Sequence, residues 1–138
     1  MRPWFTLIAA CATAGAACAA WAGQAVRAWH VPPGGEIVLG TYYEARHDPR
    51  QPGCTALRAP SVEILQNARR GTLTVRRPAS APITDVPHCP HLRAPAAVLV
   101  YRAATDAGGS QEDIAWRVTY QSARLGSRIF RGKVIIGR

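Results

Sequence analysis

Between Asp113 and Ser122 the sequence reads DIAWRVTYQS, and every second residue from Ile114 is bulky and apolar: Ile114, Trp116, Val118 and Tyr120. Side chains of an extended strand point alternately to the two faces of a sheet. The pattern therefore puts these four on one face and Ala115, Arg117, Thr119 and Gln121 on the other. A strand with one apolar face must bury it against a second layer. This stretch thus commits the chain to a layered β structure.

Other segments repeat the signal less cleanly. Glu36–Tyr43 is rich in β-branched and aromatic residues, with Gly40 expected at a bulge or a close backbone approach. Pro60–Gln66 sets Val62 and Ile64 against Ser61, Glu63 and Leu65, and Thr72–Arg77 sets Leu73 and Val75 against threonine and arginine. Asn67–Gly71 between them is turn-like, and so short a connection predicts a hairpin-like antiparallel pair. Ala97–Arg102 is a compact apolar strand. Arg128–Ile136 is the last, with Ile129 and Phe130 on opposite faces and Phe130, Val134 and Ile136 forming the more apolar one. The rest reads as connection. Gln24–Gly35 is an extended lead-in closed by Pro32-Pro33-Gly34-Gly35, and its Trp29 is available to dock on the domain. Glu44–Gly53 is a loop by composition. Pro78–Pro95 contains five prolines and is irregular or edge-lying. Ala56–Arg70 has helix formers, but Pro60 and the two-residue period argue against a helix. Six or so short strands between Gly/Pro turns predict an all-β fold, a small antiparallel β-sandwich.

The start of the chain has another character. A cationic Met1–Trp4 precedes the alanine-rich apolar run Phe5–Ala22, and Ala20-Trp21-Ala22 offers small residues before Gly23. These are the three parts of a secretory signal, with Ala17-Cys18-Ala19 as a second cleavage position. A membrane anchor and a lipid-attachment box at Ile8–Cys11 are the competing readings. The expected organisation is a signal peptide over 1–22, the lead-in over 23–35 and one β-sandwich domain over 36–138. The mature chain has no transmembrane segment and is periplasmic or secreted. Cys11 and Cys18 leave with the signal, which leaves Cys54 and Cys89 as a pair in an oxidising compartment. A bond between them closes a loop of about 35 residues, a constraint the loop-entropy treatment values at about 4 kcal/mol.

The chain carries seventeen basic and eight acidic residues, a net charge of +9. Export and the lack of a basic–aromatic platform argue against nucleic acid. An envelope protein or an anionic envelope polymer is the partner class such a balance suits. The sequence offers Arg69-Arg70 and Arg76-Arg77, its only arginine pairs, for phosphate or carboxylate groups, with Tyr42, Tyr43 and Trp29 as amphipathic contact area where they are not packed in the core. A composition effect competes: Lys133 is the only lysine, and the arginines are spread from Arg27 to Arg138.

Little material for catalysis is present. None of Ser61, Ser80, Ser110, Ser122 and Ser127 lies in a Gly-x-Ser-x-Gly elbow. Glu112 and Asp113 are adjacent, so in a strand they point to opposite faces. The expectation is a non-catalytic protein without a cofactor. The alternative is a metal-binding or hydrolytic enzyme centred on His88 and His91, in His88-Cys89-Pro90-His91, with His47 as a further ligand. A disulfide at Cys89 would take the thiolate from that set. Asp113, following a glycine turn, is expected to cap turn amides.

Taken together, these pieces resemble a known group. Cys54, Val62–Leu65, Gly71-Thr72-Leu73-Thr74-Val75, Cys89, Val98-Leu99-Val100-Tyr101, Gly108-Gly109 and Asp113–Val118 are similar to the pattern of small exported bacterial proteins with a single Ig-like, cadherin-like domain. Ala68 stands where that pattern has proline, and Ser110-Gln111-Glu112 lengthens its glycine-to-aspartate step. The antibody-type signature is absent, because Trp116 follows both cysteines instead of lying between them. The resemblance implies an Ig-like sandwich and an envelope location, and no catalytic residue.

Overall fold

The computed structural model describes residues 26–138, so the expected signal peptide over 1–22 lies outside the described residues. Among the described residues there is no helix, and hence none long and apolar enough to cross a membrane. In chain order the strands are β1 (Arg27–Val31), β2 (Glu36–Tyr43), β3 (Ala45–His47), β4 (Cys54–Ala56), β5 (Ser61–Gln66) and β6 (Gly71–Arg76). They continue with β7 (Ala81–Ile83), β8 (Leu92–Ala94), β9 (Ala96–Ala103), β10 (Gln111–Thr119) and β11 (Ser127–Ile136). Four strands form one sheet in the order β1-β11-β10-β5, and three form a second, β2-β9-β6. Every pairing is antiparallel except that of β1 with β11.

The two sheets share one core. Ile114, Trp116 and Val118 of β10 are buried on the alternate positions the sequence predicts, and they meet Leu99 and Tyr101 of β9. Burying side chains of this size contributes about 1.5–3 kcal/mol each. Val134 and Ile136 of β11 complete the layer, while Ile129 faces solvent. On β2 the register shifts between Val38 and Gly40, leaving Leu39 as the extra residue of a bulge, and a side chain on Gly40 would run into the phenol of Tyr42. The bulge expected at that glycine is thus present, and what approaches it closely is the Tyr42 ring, not a second backbone.

The hairpin expected of Pro60–Gln66 and Thr72–Arg77 does not form. β5 pairs with β10 in the first sheet, and β6 pairs with β9 in the second. Between them the chain crosses from layer to layer, so Val62 and Ile64 enter the core from one side and Leu73 and Val75 from the other. The carboxylate of Glu112 stabilises the crossing. It accepts from the amide of Arg69 at 2.6 Å and from that of Arg70 at 3.1 Å, donors that a hairpin turn would have to satisfy internally.

The lead-in also turns out differently. Its residues Arg27–Val31 are β1, a strand of the first sheet running parallel to β11, with Trp29 and Val31 in the core. The docking of Trp29 depends on Gly132, where a Cβ would overlap the indole ring.

The two stretches read as loops contain short strands. β3 pairs with β4, and β7 with β8, flanking a second small core of Ile83, Cys89, Leu92 and Ala94. Cys54 and Cys89 are joined there as a disulfide, with Cα atoms 5.6 Å apart. The bond ties the proline-rich segment to β4, the role of a structural staple.

Candidate functional site

At one side of the sandwich, between β1, β2 and the first half of β11, lies a groove of about 720 Å³. It exists because β1 pairs with β11 only from Gly132 onward. The preceding residues Ser127–Arg131 therefore have β10 on one side and no described strand on the other. Gly40 and Gly132 contribute by omission, since without Cβ atoms they admit the rings of Tyr42 and Trp29.

The floor is aromatic. Trp116 and Phe130 stack with ring centres 5.7 Å apart, Tyr42 lies tilted on Phe130 at 5.4 Å, and Trp29 on Trp116 at 6.0 Å. Trp116 Nε1 donates a 2.7 Å hydrogen bond to the Tyr42 hydroxyl, so the buried indole nitrogen is satisfied. Burial raises the Tyr42 pKa above its usual 10.0, against the opposing pull of the Trp116 hydrogen bond and the more distant Arg27. Tyr120, just beyond the floor, is raised chiefly by burial as well, with Arg128 opposing.

The rim is cationic. Arg27, Arg128 and Arg131 stand at its edge, Arg27 lying over the Trp29 ring at 5.4 Å; alternation along β11 puts Arg128 on the face of Phe130 and turns Arg131 to the face of Ile129. Among the described residues no carboxylate lines it. The ion pairs among the described residues are Arg76–Glu36 and Arg117–Glu63, both at 2.8 Å, and Lys133–Asp113 at 3.8 Å; none involves a groove arginine. Among the described residues the lining has no serine, cysteine or histidine; its hydroxyls are those of Thr41 and Tyr42. Such an arrangement can bind an anion with an apolar body.

The arginine pairs singled out from the sequence are not brought together. Arg69 and Arg70 sit at the crossing before β6, and Arg76 and Arg77 lie at and just beyond its far end, roughly 20 Å away along an extended strand. Arg76 is engaged by Glu36, and Arg77 Nη1 reaches the Pro60 carbonyl at 3.4 Å. The backbone amides of Arg69 and Arg70 are held by the Glu112 carboxylate, which sits beside the same surface hollow. Of the three aromatics named with them, Trp29 and Tyr42 line the groove, while Tyr43 donates to Asp85 at 2.9 Å.

His47 and His88 do meet, stacked at 5.9 Å beside the disulfide, with His47 Nδ1 3.7 Å from Cys54 Sγ. His91 is exposed and has a left-handed backbone, φ 59°. Among the described residues no three His, Cys, Asp or Glu side chains are grouped to hold a metal ion, and the Cys89 sulfur is engaged in the disulfide. Asp113 does not cap turn amides. It faces Lys133, and its neighbour Glu112 takes that role, because alternation turns Glu112 toward the crossing and Asp113 away from it.

No protein-family model, curated protein or solved structure matches this chain. The groove residues Arg27, Arg128 and Arg131 are singletons in the sequence and gave no local signal. The one hint was Phe130 on a strand that also carries two arginines. Glu44 escaped notice too. It is buried, and its carboxylate accepts from the amides of Gln121 and Ser122 at 2.8 and 2.7 Å, anchoring the β10–β11 turn to β2.

Proposed function

We propose that this chain is a non-catalytic exported domain of Ig-like type that binds a partner in the cell envelope through the arginine-rimmed groove. Strand order supports the Ig-like reading: β2-β9-β6 opposes β11-β10-β5, as strands B, E, D oppose G, F, C in the constant-type arrangement. The apolar start of the chain and the Cys54–Cys89 bond support export. The observation that carries the binding role is the groove itself: an aromatic floor with Arg27 and Arg128 on its side of the strands and no carboxylate among the described lining residues.

The partner is accordingly anionic, an envelope polymer, lipid or protein. Retention of the chain in envelope fractions, compared at low and high salt, tests this reading. Loss of retention at high salt, and in the Arg27→Gln/Arg128→Gln variant at low salt, is the expected result. Retention indifferent to both would refute it.

A further inference from the structure

We infer that the groove takes an extended acidic segment of a partner protein, which adds as a strand to the open edge of β11 at Ser127–Arg131. This rests on the binding role proposed above and names its partner class. The backbone sets the mode of binding. On β11 Ile136 donates its amide to the Ser110 carbonyl on the β10 side, and Gly137 donates to Val31 on the β1 side. The antiparallel register with β10 runs unbroken from Ser127 to Ile135, so this alternation holds down the strand. Arg128 and Phe130 therefore direct their amides and carbonyls to β10. Ser127 and Ile129 turn theirs to the open side, where no described residue pairs with them. Exposure changes at the same point: Ser127, Arg128, Ile129 and Arg131 are exposed, whereas Gly132, the first residue paired with β1, is buried. An added strand continues the line of β1 and satisfies these groups.

The side chains select the occupant. Arg128 and Phe130 lie on the core side of the edge, Ile129 and Arg131 on the outer side. Residues of an added strand face those of β11 one for one, so four in succession meet Arg128, Ile129, Phe130 and Arg131. Carboxylates suit the two end positions and apolar side chains the two middle ones. The order acidic-apolar-apolar-acidic reads the same in both directions, so it fits a parallel or an antiparallel partner. Its apolar residue on the core side would lie against Phe130 and the Tyr42 ring tilted on it. Neither Arg128 nor Arg131 takes part in the ion pairs among the described residues. A second copy of this chain would bring its own two arginines to the same short edge, and like charge disfavours that pairing.

The probe is the end-blocked hexapeptide Thr-Glu-Val-Val-Glu-Thr, titrated into the chain 23–138. Trp29 and Trp116 are the only tryptophans there, so their emission reports binding at the groove. A saturable change is expected, with amide exchange slowed at Ile129 and unchanged at Phe130, which is already paired across to β10. Methylating both valine nitrogens should abolish binding, because one of the two faces β11 in either register. Thr-Lys-Val-Val-Lys-Thr should bind at least about tenfold more weakly. The Arg128→Glu/Arg131→Glu variant, at two exposed positions and verified as folded by its melting curve, should invert that preference, by about tenfold for two facing charge pairs.

No binding, binding that survives N-methylation, or binding that slows no exchange at Ile129 overturns strand addition. Equal binding of the lysine peptide overturns the acidic assignment. An Ile129 amide already protected in the free chain overturns the partner: a dimer in sedimentation gives the edge to a second copy, and protection lost on removing residues 23–25 gives it to the chain's own start. If envelope retention still depends on salt and on Arg27 and Arg128, only strand addition falls. If retention is indifferent to both, the binding role falls with it.

Discussion

The hydroxyl of Tyr101, whose side chain is fully buried on β9, donates a 2.6 Å hydrogen bond to the carboxylate of Glu112 on β10, in the opposite sheet. The same carboxylate takes the amides of Arg69 and Arg70. One acidic side chain thus joins the two layers and the segment that crosses between them.

Glu112→Ala should therefore be costly, because it strands a buried hydroxyl and two turn amides. The expected loss is about 2–4 kcal/mol, read by chemical denaturation. Asp113→Ala, one residue on, removes only an exposed contact to Lys133 at 3.8 Å and should change stability by less than about 0.5 kcal/mol. Equal losses at the two positions would contradict the roles assigned here.

All four tyrosines have pKa values raised above 10.0. Burial is the first cause in each; Tyr43 is pushed up to about 12, with the Asp85 hydrogen bond adding to burial. At Tyr101, burial and the hydrogen bond to Glu112 raise it strongly. The unfolded chain ionises its phenols first, so it holds fewer protons than the folded chain in this range and stability falls as pH rises. This contribution is fully present below pH 10.0 and is lost as pH climbs through the folded values. Tyrosinate absorbance of the native protein should rise later than that of the unfolded chain, and Tyr101→Phe should reduce the alkaline loss of stability. Coincident titration of native and unfolded protein would contradict the raised values.

The disulfide should behave as a staple. Thiol titration of native protein is expected to find Cys54 and Cys89 unreactive, and Cys54→Ser should cost about 2–4 kcal/mol. Since the bond belongs to the small second core, the folded Cys54→Ser protein should keep the tryptophan emission of the parent, because Trp29 and Trp116 lie in the main core. A stoichiometric metal bound with Cys89 reduced would overturn this reading.

Gly132→Ala tests the seat of β1. Its Cβ would overlap the Trp29 ring, so the indole must move or β1 must lift away from β11. A loss of about 1–3 kcal/mol with altered tryptophan fluorescence is expected, where an alanine in an open strand would be neutral or better. No change in either would show that Trp29 is seated elsewhere.

Local patterns carried most of the all-β character. The alternation Ile114, Trp116, Val118 faces the core, the Gly40 bulge lies where the strand composition suggested, and the two cysteines left after the apolar start are joined. Each depends on residues within a few positions of one another, or on a pair with a single way to connect. Partnership between distant strands was not legible. The short link at Asn67–Gly71 predicts a hairpin, yet the chain crosses layers there because a carboxylate about forty residues away satisfies its amides.

The sequence by itself determined the longer strands from β2 onward, the buried face of β10 and the cysteine pair, because the two-residue period of an extended backbone is a local property. Only the tertiary structure decided which strands share a sheet, that the first joins the last, and where charge is left unpaired. Arg27 stands a hundred positions from Arg128, and only the parallel pairing of β1 with β11 brings their neighbourhoods together. Of the paired arginines that stand out in the sequence, Arg76 is engaged by Glu36 and Arg77 by the Pro60 carbonyl, while the single Arg27 and Arg128 stand at the edge of the aromatic floor. Coulombic compensation depends on distance in space, and position along the chain does not report it.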